Sequence, residues 1–551
     1  MKDNKTFRFF LSVAKPHILW IVLLCIINFL GAGLSVILAL VSRNVIDIAT
    51  GSLSGSLINA CLTLAGILIL ILILGAATSF INSFTKAKID IALKKRLFGS
   101  FINKKYSKAI KHHSGEILNR LTSDIDHVTS GIVDLLPSLV SIVTKITASI
   151  IVIVYFSWTF ALAVLGVGGI AFIISRILGK KFKEMHKTCQ ASSGAVRSFM
   201  QESAENLIVV KTFSGNEPVL SRAGILMKKD FINKMKKAVL SLIAHSSINL
   251  VFTGGYYIAL GWGAVQVAMG VMSFGSLTAF LQIVSQVRIP FMNASGLLTR
   301  YYSASASAER ILEIEDMENE QSVDKSILAK NITSIQMNGL TFSYDGVKFP
   351  LKDASAEIKF GEITTIVGGS GSGKSTAFKL LLGLYDAESG SLDAVTDDGE
   401  KIPVSATTRP LFNYVPQGNF VLTGTIKENI TFFNDDIDEQ KVIDAAKAAE
   451  IYEVICSLPE GFDTKIGERG VGLSEGQIQR IAIARALIFD APVLLLDECT
   501  SALDTQTESN ILENIRNMKT KTVILITHRP KALDISDSVL RVEDGKMIKE
   551  K

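Results

Sequence analysis

The sequence predicts an α-helical transmembrane bundle fused to an α/β domain, and three observations predict this fold class. Apolar stretches long enough to cross a bilayer recur through residues 1–308. Short apolar runs with strand character alternate with helical stretches over residues 332–551, as in a parallel sheet covered by helices. One of these runs leads into Gly368–Ser375, a glycine-rich turn that fits the pattern G-x-x-x-x-G-K-[ST]. A polar, acidic linker over residues 309–331 is predicted to join the two domains.

The membrane half is predicted to contain six spans. Each is an apolar stretch of about 20 residues or more, the length that a hydrocarbon core of about 30 Å requires. The predicted spans are residues 17–42, 61–83, 131–156, 158–178, 240–262 and 268–290. Buried helices of a large soluble core would explain these runs poorly, because the runs are too long and too numerous.

The distribution of basic residues predicts the orientation of the spans. Residues 45–84 and 239–286 contain no Lys or Arg, whereas Lys86–Arg120 and Arg176–Lys237 are rich in both. By the positive-inside rule, the two basic segments and both termini are expected on the cytoplasmic side. The chain is thus expected to be a multi-pass protein of the cytoplasmic membrane, with the lipid bilayer as a partner.

Both basic segments carry apolar residues at helical spacing, for example Ile89, Leu93 and Leu97. They are therefore predicted to continue the membrane helices into the cytosol. Each segment has a break at its tip, His112–Gly115 in the first and Phe213–Glu217 in the second. These two tips are expected to contact the C-terminal domain.

A few polar side chains fall at membrane depth. They are Lys145, His245, Asn249, Gln282 and Gln286. Because an ionisable group is costly in the bilayer, Lys145 is expected to face a cavity, with a helix–helix hydrogen bond or snorkelling as the alternatives.

Charge and cysteine content exclude other classes. The formal net charge of +5 is modest and the basic residues gather in particular loops, so nucleic-acid binding is not indicated. The five cysteines are scattered without a C-x-x-C pattern, which indicates neither a disulfide framework nor a zinc site. The adjacent histidines His112 and His113 are expected to be solvated rather than metal-bound.

The glycine-rich turn is predicted to bind phosphate, because it lies between the strand Ile363–Val367 and a helix that begins near Thr376. Glycines let the backbone turn tightly, so that N–H groups and the helix N-terminus point at phosphate oxygens. Lys374 is expected to reach the β- and γ-phosphates, and the Ser375 hydroxyl to complete Mg²⁺ coordination. The residues of this loop assigned to ATP are Gly368, Ser370, Gly371, Ser372, Gly373, Lys374, Ser375 and Thr376.

A second apolar run, Val493–Leu496, ends in two carboxylates. Asp497 is placed to hold Mg²⁺ through its water shell. Glu498 is placed to accept a proton from the water that attacks the γ-phosphate.

A resemblance now becomes specific, because Leu473-Ser474-Glu475-Gly476-Gln477 resembles the signature sequence of the ABC (ATP-binding cassette) proteins. Four further motifs of that family are present in order. Tyr344 resembles the aromatic residue that stacks on adenine, Gln417 the Q-loop glutamine, Ser501–Asp504 the D-loop and His528 the switch histidine. The membrane half is similar to the exporter type, with Lys111–Glu116 and Val210–Phe213 matching its coupling-helix neighbourhoods.

The resemblance implies that ATP lies between two cassettes, held by the phosphate loop of one and by Ser474, Gly476 and Gln477 of the other. One chain has one of each, so a dimer is required. A second copy of the chain is favoured as the partner, since the motifs are intact, and a different partner remains possible. The resemblance further implies four catalytic residues: Lys374, Gln417, Glu498 and His528. Of these, Gln417 and His528 sense the γ-phosphate, and Gln417 also joins Ser375 and Asp497 at Mg²⁺.

Two departures from the family pattern stand out. Glu475 lies where the signature most often has glycine, and its carboxylate is expected to weaken ATP binding slightly. The region Val395–Arg409 also departs from the usual pattern ahead of Gln417. By contrast, Thr464–Gly470 resembles the segment that exporter-type cassettes carry before the signature.

The resemblance favours ATP-driven export of an amphipathic or hydrophobic solute, whether a drug, a lipid or a peptide. Two alternatives keep the fold: a lipid flippase, and an importer of metal–chelator complexes. A soluble ABC ATPase of the DNA-repair type is excluded by the spans and by the absence of a long coiled-coil insertion. Lys145 and the sparse acidic residues suggest anionic or neutral cargo, and the identity of the cargo stays open.

Overall fold

The computed structural model describes most of the chain. It covers residues 2–112, 114–156, 158–418, 420–467, 472–518, 521–527 and 529–551. Side chains are described at these positions except 2–4, 114, 159–165, 167–168, 170–180, 183, 245, 248, 289, 291–295 and 298. The sequence-predicted residues His113, Glu468–Gly470 and His528, the break at Ser157 and the His245 side chain therefore lie outside the described residues.

The chain forms two compact units. The first comprises Met1–Phe101 and Ser114–Asp316, and the second comprises Ile102–His113 and Met317–Lys551. The tip of the first basic segment, assigned by sequence to the membrane domain, thus belongs to the same unit as the C-terminal domain.

Helices make up the first unit, and most of them are long. They are α1 Lys2–Ala14, α2 Ile18–Ala49, α3 Leu57–Ile102, α5 Ser114–Asn119, α6 Ile125–Phe156, α7 Trp158–Glu205, α8 Leu207–Thr212, α9 Asn216–Ala268 and α10 Phe274–Glu315. The short helix α4, Tyr106–Ala109, lies in the second unit. A π-helical turn, Arg120–Asp124, joins α5 to α6. The lengths of α3, α7 and α9 confirm that these helices run far beyond the predicted spans.

Four described segments are long and apolar enough to cross a membrane. They are Lys5–Ala49, Leu57–Ile102, Gly115–Phe156 and Asn216–Ala268. The other two predicted spans, 158–178 and 268–290, fall within α7 and mainly within α10. The break between the last two predicted spans lies at residues 269–273, within or next to the predicted region Gly263–Met272: α9 continues to Ala268, Gly270 has a φ of +74°, and α10 begins at Phe274.

The apolar surface of two of these helices is not covered within the protein. None of the most apolar window of Leu57–Ile102 or of Asn216–Ala268 is buried. Such surface would be unstable in water, and contact with lipid or with other membrane helices removes that cost.

A buried ion cluster ties the N-terminal end of α6 to the C-terminal part of α10. Asp124, which is 1% exposed, accepts hydrogen bonds from Arg310 Nε at 2.8 Å and from Ser307 Oγ at 2.9 Å. Arg120 is also buried and donates to the Arg310 carbonyl at 2.8 Å. Ile311 and Ile314 are also fully buried. The helix α10 therefore continues as a packed helix to Glu315, past residue 309, where the linker was predicted to begin.

The second unit contains two main sheets, which confirms the predicted parallel α/β core and adds an antiparallel sheet. Its described strands are β1 Ile332–Phe342, β2 Leu351–Lys359, β3 Ile363–Val367, β4 Ser389–Thr396, β5 Lys401–Pro403, β6 Phe412–Val415, β7 Gly424–Thr425, β8 Lys465–Ile466, β9 Val493–Asp497, β10 Thr522–Ile526, β11 Ser538–Glu543 and β12 Lys546–Lys549. Its helices after α4 are α11 Lys374–Leu381, α12 Ile426–Thr431, α13 Glu439–Ala448, α14 Tyr452–Ser457, α15 Glu475–Ile488, α16 Thr505–Asn517 and α17 Pro530–Asp534.

The six-stranded sheet has the order β12-β11-β3-β10-β9-β6, with β11 to β6 parallel and β12 antiparallel at the edge. In the centre, Ile526 is paired with both Ile366 and Asp497. The carboxyl ends of β3, β10 and β9 therefore meet at one edge of the sheet, where ligands bind in open α/β folds. The four-stranded antiparallel sheet has the order β2-β1-β4-β5. Through the end of β4 and through β5 it includes part of the region Val395–Arg409 that departs from the family pattern, and the rest of that region leads into a 3-10 helix that begins at Ala406.

Candidate functional site

The phosphate loop lies between the fully buried strand β3 and the N-terminus of α11. Three of its glycines hold conformations that favour glycine, with φ of +151° at Gly368, +78° at Gly371 and +110° at Gly373. A Cβ at Gly368 would collide with the Val542 carbonyl, and a Cβ at Gly373 with the Pro350 carbonyl. The loop is therefore held against the backbone of neighbouring segments, with no room for side chains at these two positions.

Lys374 is buried, at 6% exposed, and its ammonium group donates to the carbonyls of Gly368 at 2.7 Å and Gly369 at 2.9 Å. The Ser372 hydroxyl oxygen is buried within the same loop, and it has no hydrogen-bond partner in the part of the chain that the structure describes. The Lys374 ammonium group at the N-terminus of α11, the Ser372 hydroxyl and the backbone of the glycines are groups that can bind a phosphate. The loop thus suits the triphosphate of ATP.

Asp497 is the last residue of β9 and lies beside the phosphate loop. Its side chain is almost fully buried, at 2% exposed, and accepts from Ser375 Oγ at 3.3 Å and from Tyr414 Oη at 3.3 Å. Burial raises the pKa of this carboxyl above its ordinary value and nearby Glu498 raises it further, while the hydrogen bonds from Ser375 and Tyr414 oppose both. An acidic oxygen and a hydroxyl that already converge are donors of the type that Mg²⁺ prefers.

Glu498 has a left-handed backbone conformation, with a φ of +48°, although it is not glycine. Its amide N–H donates to the Ile526 carbonyl at 2.9 Å, which ties the end of β9 to the end of β10. Gln417, which is exposed, donates from Nε2 to Glu498 Oε2 at 2.8 Å. An uncommon backbone conformation that is held in place by neighbouring strands is typical of functional residues. The structure thus brings Gln417 to the carboxylate of Glu498.

Tyr344 lies just after β1 and is 48% exposed. Its hydroxyl is 3.2 Å from Thr376 Oγ1, in the first turn of α11, and the Lys379 ammonium lies 5.6 Å from its ring centroid. An exposed aromatic ring next to the phosphate loop is placed to stack on a base. The assignment of Tyr344 and Thr376 to ATP binding stays a prediction.

The signature residues form the N-terminus of α15. Ser474 is the N-cap: its hydroxyl accepts from the Gln477 amide at 3.3 Å, and the Gln477 side chain accepts from the Ser474 amide at 2.9 Å. Ser474 and Glu475 are exposed. A Cβ at Gly476 would lie 3.0 Å from the Ala502 carbonyl, so this position is tight for any other residue. The helix end is therefore pre-organised and open to solvent.

Two residues that the sequence did not single out hold the D-loop. The buried Gln479 accepts from the Ala502 amide at 3.1 Å and donates to Ser501 Oγ at 3.3 Å. Arg529 donates to the Ser501 carbonyl at 2.7 Å and to the buried carboxylate of Glu508 at 2.7 Å. Arg529 directly follows His528, so the D-loop is linked to the segment that carries the predicted switch histidine.

A third residue that sequence reasoning missed is Tyr414, whose hydroxyl contacts Asp497. Burial raises the pKa of its phenol well above the usual value, so it is a neutral hydrogen-bond donor at physiological pH. Tyr414 lies near the end of β6, three residues before Gln417. This position predicts contact with Asp497 only once it is known that β6 pairs with β9.

A helical membrane unit joined in one chain to a parallel-sheet domain with a phosphate loop defines an ATP-hydrolysing membrane transporter. Residues 21–291 match the family described as ABC transporter transmembrane region, and residues 351–501 match the family described as ABC transporter. The chain belongs to the ATP-binding cassette transporters, with an exporter-type membrane region fused to the nucleotide-binding domain.

Relatives and a solved structure agree with this assignment. The chain is 31% identical over 490 residues to ABC transporter B family member 1 of Dictyostelium discoideum, a match that covers 87% of this chain and 54% of the relative. It is 28% identical over 490 residues to the ATP-dependent lipid A-core flippase of Escherichia coli (strain K12), covering 88% and 84%. A bacterial Atm1-family ABC exporter with ATP bound has the same fold, with a TM-score of 0.81, 24% identity and coverage of 97% and 95%. The chain spans only about half the length of the Dictyostelium relative.

Replacing Glu498 by glutamine tests its assignment as the general base. The amide keeps the size of the side chain and can still pair with Gln417, but it cannot accept a proton. We expect Glu498→Gln to bind ATP and to lower ATPase turnover by at least about 100-fold. Steady-state phosphate release and equilibrium ATP binding, both on reconstituted protein, measure the two effects. Turnover like that of the wild type would show that another group is the base.

Replacing Asp497 by asparagine tests the cost of its buried charge. The folded-state pKa is raised, so the wild-type protein loses stability as the pH rises through that pKa, whereas an amide does not titrate. We expect Asp497→Asn to raise the unfolding temperature of nucleotide-free protein at neutral pH. The gain should shrink as the pH is lowered through the raised pKa. The same variant should lose the extra stability that Mg²⁺ and ATP give the wild type, and a lower unfolding temperature without nucleotide would contradict this account.

Proposed function

We propose that this chain exports an amphipathic or hydrophobic solute at the expense of ATP, by alternating access of a dimer. The observation that carries the proposal is that Lys374, Ser375, Asp497, Glu498 and Gln417 converge at one sheet edge, in a chain with long apolar helices. By the positive-inside rule, we place the protein in the cytoplasmic membrane, with both termini and the two basic segments on the cytoplasmic side.

In the proposed reaction, the phosphate loop and Lys374 hold the β- and γ-phosphates, and Ser375, Asp497 and Gln417 hold Mg²⁺. Bound Mg²⁺ supplies neutralisation of the phosphate charge. The ammonium group of Lys374 now donates to two loop carbonyls, and phosphate oxygens would compete for those hydrogen bonds. Glu498 accepts the proton of the attacking water, while Gln417 orients this carboxylate and, with His528, senses the γ-phosphate.

A dimer is proposed because the N-terminus of α15 is solvent-exposed and capped. Ser474 and Gln477 satisfy each other, so this helix end can receive an anion without prior rearrangement. A second copy of the chain is the favoured partner, because every motif needed for two identical sites is present. ATP would then bind the closed pair of domains better than the open pair and shift the population toward closure.

Cargo chemistry is proposed from one side chain. Lys145 is half-buried in the segment Gly115–Phe156, and no hydrogen bond or ion pair reaches its ammonium group from the part of the chain that the structure describes. An unpaired cation at membrane depth is costly unless it meets water or an anion. We therefore favour anionic amphipathic cargo. Lipid is the second candidate, supported by the similarity to the lipid A-core flippase.

Mixing two inactive variants tests the shared site. Lys374→Ala disables the phosphate loop, and Ser474→Asp keeps the helix cap but repels phosphate. We expect each variant alone to lack ATPase activity. Co-expression should restore about one quarter of wild-type turnover, because half of the dimers are mixed and each holds one intact site. If the mixture stays as inactive as its components, ATP is not held between two copies of the chain.

Replacing Lys145 by methionine tests the cargo. In proteoliposomes, ATPase is measured against neutral and anionic amphiphiles and lipids, and cargo uptake is measured in vesicles whose ATP-binding domains face outward. We expect Lys145→Met to raise the concentration of anionic cargo needed for half-maximal stimulation, with no change for neutral cargo. Lys187→Met, at an exposed position outside the predicted spans, is the matched control. Equal responses of Lys145→Met to both cargo classes, or efflux in place of uptake, would contradict the proposal.

A further inference from the structure

Four aromatic rings form a continuous cluster in the second unit, from α4 to the ring proposed to stack on adenine. Tyr106, in α4, packs edge-on against Tyr385, with ring centroids 5.7 Å apart and planes at 84°. Tyr385 packs in the same way against Tyr344, at 5.2 Å and 89°. Phe342 completes the cluster, 5.4 Å from Tyr385 and 4.9 Å from Tyr344. The ring of Tyr385 thus contacts both Tyr106 of α4 and Tyr344, the ring proposed to stack on adenine.

The orientation of Tyr344 depends on these neighbours. Its hydroxyl meets Thr376 at 3.2 Å, and its ring packs against the rings of Tyr385 and Phe342. Phe342 is buried, at 4% exposed, and is fixed by the sheet, whereas Tyr385 follows α11 in a segment without regular structure. A displacement of Tyr385 would therefore remove one of the contacts that hold Tyr344 in place.

A second contact reinforces the pairing at adjacent positions. Lys105 Nζ lies 2.5 Å from Asp386 Oδ2. Lys105 is the sequence neighbour of Tyr106, and Asp386 is the sequence neighbour of Tyr385. The Asp386 side chain is 72% exposed, so this ion pair contributes little stability by itself. Edge-to-face aromatic pairs contribute about 0.5 to 1.5 kcal/mol beyond the area they bury. The rings therefore dominate the contact, and the ion pair sets its register.

The backbone beside α4 is also fixed to this unit. The Lys105 amide donates to the Glu318 carbonyl at 3.0 Å, and the Glu320 amide donates to the Asn103 carbonyl at 2.9 Å. The Glu320 carboxylate accepts two hydrogen bonds from Arg409, at 2.8 and 2.9 Å, and Arg409 Nε donates to the Leu382 carbonyl at 3.0 Å. Leu382 caps α11, which begins with Lys374. The segment around α4 is thus connected to the far end of the phosphate-loop helix.

We propose that Tyr385 is a positioning residue that links the place of α4 to the affinity for the adenine of ATP, through Tyr106 on one side and Tyr344 on the other. The inference rests on the proposed function, in which Tyr344 stacks on adenine. Linkage is reciprocal, so a state of the protein that pulls α4 away weakens ATP binding, and bound ATP holds α4 in place. Because α4 lies between α3 and α5 in the chain, the membrane helices can alter ATP affinity through it.

The test measures equilibrium binding of ATP and of inorganic tripolyphosphate to full-length protein in the Glu498→Gln background. Tripolyphosphate occupies the phosphate loop but has no base to stack. We expect Tyr385→Leu and Tyr106→Leu to raise the Kd for ATP by about 2- to 10-fold, and the Kd for tripolyphosphate to stay unchanged. Tyr385→Phe keeps the ring and should bind ATP like the parent. Lys108→Ala, at an exposed position on α4, is the matched control and should also have no effect.

Three results would overturn the inference. Unchanged ATP affinity in both leucine variants would show that the ring contacts do not reach the base. An equal loss of ATP and tripolyphosphate binding would show general loosening of the domain. If the parent protein binds tripolyphosphate as tightly as ATP, the base adds no affinity. The stacking role of Tyr344 then fails, and with it that part of the proposed function. When Glu498 is kept, we expect the same two leucine variants to raise the KM for ATP and to leave kcat unchanged.

Discussion

The parallel pairing of β3, β10 and β9 is the constraint on which the rest of the site depends. Pairing of Ile526 with both Ile366 and Asp497 brings the ends of three strands to one edge. The phosphate loop, the two carboxylates and the segment after β10 therefore begin side by side. The strands themselves are completely buried, so their register is fixed by the hydrophobic core on both faces of the sheet. Groups that are far apart in sequence, and that we propose to be catalytic, are thus held together by the apolar residues of the sheet.

Around this edge, polar groups are arranged at a cost to stability. Among the described residues, Asp497 is buried and accepts two long hydrogen bonds, and the Ser372 hydroxyl has no hydrogen-bond partner. Glu498 has a left-handed backbone. Each feature is unfavourable by itself. On the proposed function, a cation would balance the charge of Asp497, and phosphate oxygens would accept the hydrogen bond of the Ser372 hydroxyl. Part of the stability lost at these two side chains would then be recovered when the nucleotide binds.

The segments around the site link it to the remainder of the second unit. Arg529 and Gln479 join the D-loop to the segment after β10 and to the signature helix, respectively. Arg409 joins the residues after α10 to the end of α11. Arg529 and Arg409 Nε donate to backbone carbonyls, whereas Gln479 donates to the Ser501 hydroxyl and Arg409 also pairs with the carboxylate of Glu320. On the proposed function, these contacts would connect the nucleotide with the D-loop, the signature helix and α4 without passing through the centre of the sheet.

The sequence by itself determined the two-domain plan, the membrane character of the first half and the phosphate loop, because these depend on local composition, periodicity and spacing. The strands Ile363–Val367 and Val493–Asp497 could be assigned to the residue, since buried parallel strands are continuous apolar runs. Only the tertiary structure decided that Tyr414 contacts Asp497, that Gln417 contacts Glu498 and that α10 extends to Glu315. It also decided that Tyr385 lies between Tyr106 and Tyr344, residues separated by more than two hundred positions in the chain. Such contacts arise when distant segments pack together, and no local pattern records which side chains will then meet.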